Sequence, residues 1–520
     1  MFSKIYSCAA FGLNASLVEC ELDMRNGEPR IFLVGLADAA IKEAIQRFIS
    51  AIKNSGFEYP YGKRLTINLA PAHLPKEGTH YDLAMAVGIL FNAFAMPFES
   101  KNKMFIGELS LDGKVKRING LIPMLMFAKE NGFTEVFVPA GNLSEATLVS
   151  GLKIYPVKDL RQTIEHLLGE VLIEPCDGQL DFSKYKQEMN LGDYDFKYVC
   201  GQREARRALE IAAAGGHNLR LIGSPGSGKT FMSRALLGIL PDLDESEIME
   251  LTKIYSVAGL LNEDNPVVTQ RPFRAPHHSV SGVALIGGGR VPKPGEITLA
   301  HRGVLFLDEF AEFPRPVLEA LRQPLEDGIV SIGRARGHLT FPARFSLVAA
   351  QNPCPCGYHG DPHQKCTCTA NHLTTYQKKV SGPLLDRIDL HLHVLPVSNN
   401  DLTKNSEKRN LQSAAEDSQE IRKRVVAARA IQRERLEKYN ILTNAEMGSR
   451  LVREFCRLEL PAEEYLHKMM DSLHLSARAY YRVLKVSRSI ADLAGDLIIK
   501  KTHVMESLQY RLADGGENLL

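Results

Sequence analysis

Nowhere in this sequence do eighteen apolar residues run together, which excludes a membrane-spanning helix of ordinary length. The opening residues, MFSKIYSCAAFGL, carry one lysine and no apolar stretch of the length a secretory leader needs. A cytoplasmic protein with no membrane partner is therefore expected. Net charge is also nearly missing: 63 Lys and Arg stand against 61 Asp and Glu, leaving +2. Charge this balanced excludes a globally basic nucleic-acid binder, so any grip on phosphates has to come from local patches. No internal repeat divides the chain. Nine cysteines in a cytoplasmic chain read as thiols or metal ligands rather than disulfides, and four of them are clustered.

What remains is the composition of an ordinary soluble protein, 44% apolar and 24% charged. A chain of 520 residues is too long for one core, and three or four domains are expected. Residues 1–168 alternate β-like runs (31–34, 64–68, 135–139) with helix-like ones (38–55, 81–94, 121–131), a mixed α/β domain. Residues 169–195 are polar and acidic and read as a linker. Residues 196–396 return to an α/β pattern, and a polar stretch at 398–406 opens a helical last segment, 397–520.

The segment 196–396 holds the strongest motif. Gly223-Ser224-Pro225-Gly226-Ser227-Gly228-Lys229-Thr230 follows an apolar run (219–222) and leads into an apolar, helix-like one (231–240), the context of a phosphate-cradling P-loop. Glycines there let backbone N–H groups face phosphates, Lys229 reaches the β and γ oxygens, and Thr230 offers a hydroxyl to Mg2+. A second apolar run, 304–307, ends in Asp308-Glu309. Asp308 completes the magnesium shell and Glu309 polarises a water for attack. A glycine-rich turn alone explains neither the flanking pattern nor the acidic pair, so ATP and Mg2+ are expected cofactors and hydrolysis the expected reaction.

From Gly201-Gln202, through the P-loop, Asp308-Glu309 and Asn352, to Leu384-Leu385-Asp386-Arg387-Ile388-Asp389, the sequence resembles the AAA+ ATPases of the magnesium-chelatase-like group. HRGVLFLDEF, RPFRAPHHSVSG and AAQNPCPCG narrow the resemblance to the ComM/YifB family of bacterial proteins, across essentially the whole chain. It implies an α/β multidomain protein: a Lon-protease-like (S5-like) α+β N-terminal domain, an AAA+ P-loop α/β core and a helical C-terminal lid. It further implies a homohexameric, ATP-dependent DNA translocase or helicase working on single-stranded and branched DNA. Such a motor promotes branch migration of recombination intermediates when transforming DNA is integrated during natural transformation, with recombination proteins as further partners. The alternative is a magnesium-chelatase-like or chaperone ATPase acting on protein partners, and DNA-stimulated turnover separates the two.

The same resemblance assigns roles. Asn352, after an apolar run (345–350), matches sensor 1, which orients the attacking water; a lone Asn at a strand end is otherwise a turn former. Arg387 matches the finger that one subunit projects into its neighbour's ATP site. The plainer alternative is an ion pair with Asp386 or Asp389. Arg478, in Leu475-Ser476-Ala477-Arg478-Ala479, matches sensor 2, acting either in its own subunit or across the interface. In the first domain, GELSLDGKVKRINGL and PKEGTHYDLAMAV resemble the proteolytic domain of Lon-type proteases, yet the serine position is His80 and the lysine position Ile122. Without the Ser/Lys dyad proteolysis is not expected and a scaffold is. Lys76 and His80 are candidates for nucleic-acid contact, against a solvated loop.

Cys354-Pro-Cys356 and Cys366-Thr-Cys368 are separated by nine residues, among them Gly357, Gly360 and Pro362. Such a loop can gather four thiolates around zinc, with His359 or His363 as substitute ligands, although the spacing is not the common Cys-x-x-Cys knuckle. Starting two residues after Asn352, the cluster is placed for contact with DNA or a neighbouring subunit. Two segments contain arginines and no acid. Gly328 to Phe345, with Arg334, Arg336 and Arg344, resembles the pre-sensor-1 hairpin of ring helicases. Asn265 to Gly295, with Arg271, Arg274, Arg290, Lys293, Phe273, His277 and His278, resembles the helix 2 insertion. Loops of this kind grip phosphates in a ring's pore, the alternative for each arginine being an intersubunit salt bridge. The basic stretch Arg422 to Lys438 reads as a solvated helix face.

Overall fold

The computed structural model describes residues 2–35, 39–73, 76, 78–95, 99–178, 182–185, 192–199, 201–289, 292–334, 337–396, 416–473 and 475–512. Arg290, Arg336, the side chain of Arg334 and the 398–406 stretch lie outside the described residues.

Strict alternation of apolar and acidic residues puts Val18, Cys20, Leu22 and Met24 on the buried face of the 13-residue strand Asn14–Asn26. Its antiparallel partner is Phe2–Phe11, joined by a tight turn in which Gly12 adopts φ +61°, a region glycine enters freely. This hairpin is the centre of an eight-stranded mixed sheet and was not among the strands expected from sequence. On one side lie Lys63–Ala70 and Arg30–Val34; on the other, Lys103–Phe105, Glu135–Pro139 and Lys153–Val157 run parallel. Phe105, Phe137 and Tyr155 face the core under helices Ala39–Asn54 and Asp82–Phe94, while Met104, Val136 and Ile154 face the opposite core under Leu121–Glu130. Part of the expected linker belongs to this body: Cys176–Asp177 adds an edge strand and Phe182 is buried in its core.

The second unit is built on five parallel strands, in the spatial order Phe273–Arg274, Val304–Leu307, Ser346–Gln351, Leu219–Gly223, Leu390–Val394. The middle three are apolar almost without interruption, as strands covered on both faces must be. Ligands in open parallel sheets bind beyond the carboxyl ends of the strands. The P-loop, Asp308-Glu309 and Asn352 all follow such ends.

Helix Glu245–Ala258 ties the first two units together. It starts with a reciprocal capping box between Asp244 and Glu247. Its Ile248 and Leu251 join the first domain's Leu121 and Leu125 in one core, the Ser256 hydroxyl donates to buried Glu145, and the Gly120 N–H donates to Ser256 O at 2.9 Å.

Helix Ser418–Leu436 carries the basic face expected at Arg422 to Lys438, with Lys423, Arg424 and Arg433 exposed, and buries the opposite stripe. Ile421, Val425 and Ala428 pack on the helices Arg203–Gly215 and Lys229–Ile239. Its arginines reach across to the ATPase unit and beyond: Arg422 to Asp242, Arg424 to Glu210, Arg433 to Asp244 and Arg435 to Asp492. The helices Ser449–Phe455, Leu460–Ser472, Ala477–Ala494 and Lys501–Leu512 share a separate core that includes Val452, Leu466, Leu484 and Leu508.

Candidate nucleotide site and metal centre

Gly226 and Gly228 take φ +80° and +89°, the left-handed conformation that turns the P-loop backbone before helix Lys229–Ile239 begins. Gly223 is required for space as well, since a Cβ there would lie 2.4 Å from Val394 O. The Lys229 ammonium is folded into this turn, donating to Gly223 O at 2.8 Å and Ser224 O at 2.9 Å, with Asn352 Oδ1 at 3.4 Å. Burial pushes its pKa down and the nearby Asp308 carboxylate opposes that shift. Thr230 Oγ1 donates to Asp308 Oδ2 at 2.9 Å, so the two side chains fit a shared Mg2+. Glu309 sits at φ +52°, an uncommon conformation for a non-glycine residue, held by its N–H to Asp308 Oδ1 at 2.9 Å.

Gly226, Gly228, Lys229, Thr230, Asp308, Glu309 and Asn352 line one cavity of about 680 Å3. Three further polar side chains of that cavity were not expected there: Arg234, His277 and His278. Arg234 follows Thr230 by one helical turn and lies over the Tyr194 ring at 5.0 Å; that i+4 spacing was the available sequence sign. The two histidines come from the segment expected to touch DNA. Instead, His278 Nδ1 lies 2.9 Å from Glu309 Oε2, on the carboxylate expected to activate water.

Arg387 and Arg478 are not among the residues lining this cavity. Both point at one carboxylate, Glu326, with Arg387 Nε at 2.9 Å and Arg478 Nε at 3.9 Å. Of the alternative partners expected for Arg387, Asp389 is buried and paired instead with Arg482 and His217.

The four clustered cysteines converge. Sγ–Sγ separations are 3.3 Å for Cys354–Cys356, 3.5 Å for Cys356–Cys366 and 3.8 Å for Cys354–Cys366, and all four sulfurs lie within 4.8 Å of one another. A tetrahedral site with metal–sulfur bonds of about 2.3 Å has edges of about 3.8 Å, so the donor set fits. Backbone N–H groups of Tyr358 and Thr367 pull the Cys356 thiol down to about 5, whereas desolvation and the neighbouring thiols push Cys366 up and Cys368 up to about 12.

Three of the arginines expected to grip DNA have carboxylate partners within the chain. Arg271 makes a two-pronged pair with Glu247 at 3.0 Å and donates to the backbone of Pro241 and Arg302. Arg274 pairs with Glu296 at 2.6 and 2.7 Å, and Arg344 with Glu446 at 3.0 Å. All three guanidiniums are already engaged within the chain and are not free cations. The expected hairpin itself is present, Ile329–Arg334 pairing with Gly337–Pro342, as is a short hairpin of Gly287–Gly288 with Lys293–Pro294, where Lys293 is exposed. They touch: a Cβ at Gly287 would lie 3.3 Å from Ile332 Cδ1. In the first domain Lys76 is fully buried and donates to Pro71 O, which corrects its expected nucleic-acid contact; Ile122 is in the core, and His80 packs on Tyr81 at 4.1 Å.

Sequence comparison follows the same three-part layout. Residues 195–402 match the family described as magnesium chelatase, subunit ChlI; residues 20–142 match the subunit ChlI of Mg-chelatase family; residues 415–511 match the ChlI C-terminal family. Competence protein ComM of Haemophilus influenzae is 42% identical over 514 residues, covering 98% of this chain and 97% of its own. The chain belongs to the ComM/YifB family of magnesium-chelatase-like ATPases. YifB of Escherichia coli is 40% identical over 513 residues, covering 98% of this chain and 97% of its own. Lon protease 2 of Bacillus subtilis is 28% identical over 193 residues, 34% of this chain. Among the described residues no helix is long and apolar enough to cross a membrane.

Proposed function

We propose that this family member is an ATP-driven ring motor, a homohexamer that translocates on DNA and promotes branch migration of recombination intermediates in the cytoplasm. The observation that carries the reading is the division of the catalytic set. Lys229, Thr230, Asp308, Glu309 and Asn352 share one cavity, whereas Arg387 and Arg478 lie together on Glu326, outside it. A set split this way is completed by a second copy: both arginines leave Glu326 for the γ-phosphate of the neighbour's nucleotide, which makes assembly part of turnover. Thr230 and Asp308 would hold Mg2+, which neutralises charge on the β and γ oxygens. Glu309 takes the proton of the attacking water, and Asn352 orients that water while fixing Lys229. The cysteine cluster is read as a zinc site.

DNA as substrate is supported by the full-length similarity to a protein named for competence and by the two adjoining hairpins, one with Arg334 at its end. The internal pairing of Arg271, Arg274 and Arg344 favours a second reading, a magnesium-chelatase-like or chaperone motor acting on protein partners, because it removes three expected phosphate grips. The test is ATP turnover with and without single-stranded or forked DNA, alongside strand displacement. Stimulation and displacement are expected; a wild-type protein that hydrolyses ATP indifferently to DNA belongs to the second reading.

A further inference from the structure

The cysteine loop does more than sit near the nucleotide site; it packs on the P-loop. Gly357, between the two cysteine pairs, has φ +88°, and a Cβ there would lie 2.8 Å from Pro225 Cδ. Four residues on, Asp361 anchors its own turn by accepting from the N–H groups of His363 at 2.8 Å and Gln364 at 3.0 Å, and the nearby Ser224 hydroxyl helps hold its carboxyl below the usual carboxylate range. Ser224 and Pro225 are the second and third residues of the P-loop, and Ser224 O is one of the two carbonyls that fix the Lys229 ammonium. At the loop's entrance, Asn352 contacts Lys229 two residues before Cys354. At its exit, Thr369 caps helix Ala370–Gln377, whose Tyr376 is buried in the ATPase core. The cysteines therefore close a loop whose ends are anchored in the ATPase fold and whose middle leans on the phosphate cradle. Joining the two ends through one ion removes most of the conformations this stretch could adopt.

We propose that the metal centre is a clamp on the P-loop: a thiophilic divalent ion, zinc by its ligand class, holds residues 354–368 against Ser224 and Pro225, and its loss weakens nucleotide binding. The inference rests on the four-cysteine metal reading and adds what the ion does. Two variants separate the ion from the contact it supports. Cys366→Ala/Cys368→Ala removes two ligands and leaves the P-loop sequence intact; Gly357→Ala keeps all four ligands and forces the loop away from Pro225. Metal content by elemental analysis and affinity for a fluorescent ADP analogue in excess Mg2+ are measured for both and for the wild type, with far-UV circular dichroism to compare folded content.

The wild type is expected to carry about one zinc per chain. The double variant loses it, Gly357→Ala retains it, and both bind the analogue on the order of tenfold more weakly or worse. A metal-free double variant with wild-type affinity overturns the clamp, and so does a metal-loaded Gly357→Ala with wild-type affinity. A wild-type protein that carries no metal and takes up none from zinc solution removes the metal reading itself, an outcome distinguishable from loss of the clamp alone.

Discussion

Glu309 is caught between two duties. In the proposed reaction it must face the water that attacks the γ-phosphate, yet its carboxylate lies 2.9 Å from His278 Nδ1 while its backbone is held at φ +52°. Glu309→Gln should leave nucleotide binding intact and lower turnover by roughly 10²–10⁴-fold, the usual worth of a positioned base; Lys229→Ala should lose binding itself, because the phosphates lose their fixed cation. Titration of a fluorescent nucleotide and steady-state turnover check both. For His278→Ala the expected outcome is different: unchanged nucleotide affinity with higher DNA-free turnover, since the imidazole no longer holds the carboxylate away from water. A drop in turnover would instead make His278 part of the reacting set. The P-loop, Asp308 and Glu309 were legible in sequence because each motif is local and dictates its own backbone geometry. His278 was not, because its contact joins segments that follow two neighbouring strands and no spacing in the chain encodes it. The charge of Arg271, Arg274 and Arg344 was equally plain, but a count of charges does not say which carboxylate folds against them.

At the scale of elements, periodicity served well where one face was apolar and failed where polar residues diluted it. The runs at 64–68 and 135–139 are strands Lys63–Ala70 and Glu135–Pro139. The alternation in Asn14–Asn26 is just as readable, but its partner Phe2–Phe11 mixes Ser, Cys and Ala and lacks a clean period. Helix Ser418–Leu436 hides Ile421, Val425 and Ala428, one stripe at helical spacing, behind its arginines. Those arginines lead to a buried junction: Asp492 accepts from Arg435 at 2.7 Å, Arg488 at 3.0 Å and Asn444 at 2.8 Å. Arg488 is almost completely buried, so removing its counter-charge strands a cation in the interior. Asp492→Ala should destabilise the protein by about 3–5 kcal/mol, read as a lowered thermal midpoint with a normal P-loop sequence. A change below about 1 kcal/mol would mean that water reaches the junction.

The whole molecule joins three units into one frame. The first domain shares a core with helix Glu245–Ala258, which leads into the insertion carrying His277 and His278, and the C-terminal helices lie against the ATPase unit through Ser418–Leu436. One chain still holds Arg387 and Arg478 outside its own nucleotide cavity. Arg387→Ala should therefore bind nucleotide normally and lose turnover by up to about 10³-fold. Mixed with Lys229→Ala protein, it should regain part of that turnover, because some interfaces then pair an intact P-loop with an intact arginine; no recovery in confirmed mixed rings would place Arg387 outside the trans site. The most direct measurement of the central claim is migration of a model three-way or four-way DNA junction, followed together with ATP turnover in wild type and Glu309→Gln. The account predicts that DNA raises wild-type turnover, that the junction moves only with hydrolysable ATP, and that Glu309→Gln moves nothing. A wild-type protein that hydrolyses ATP but neither binds DNA nor moves junctions under any nucleotide condition would contradict it.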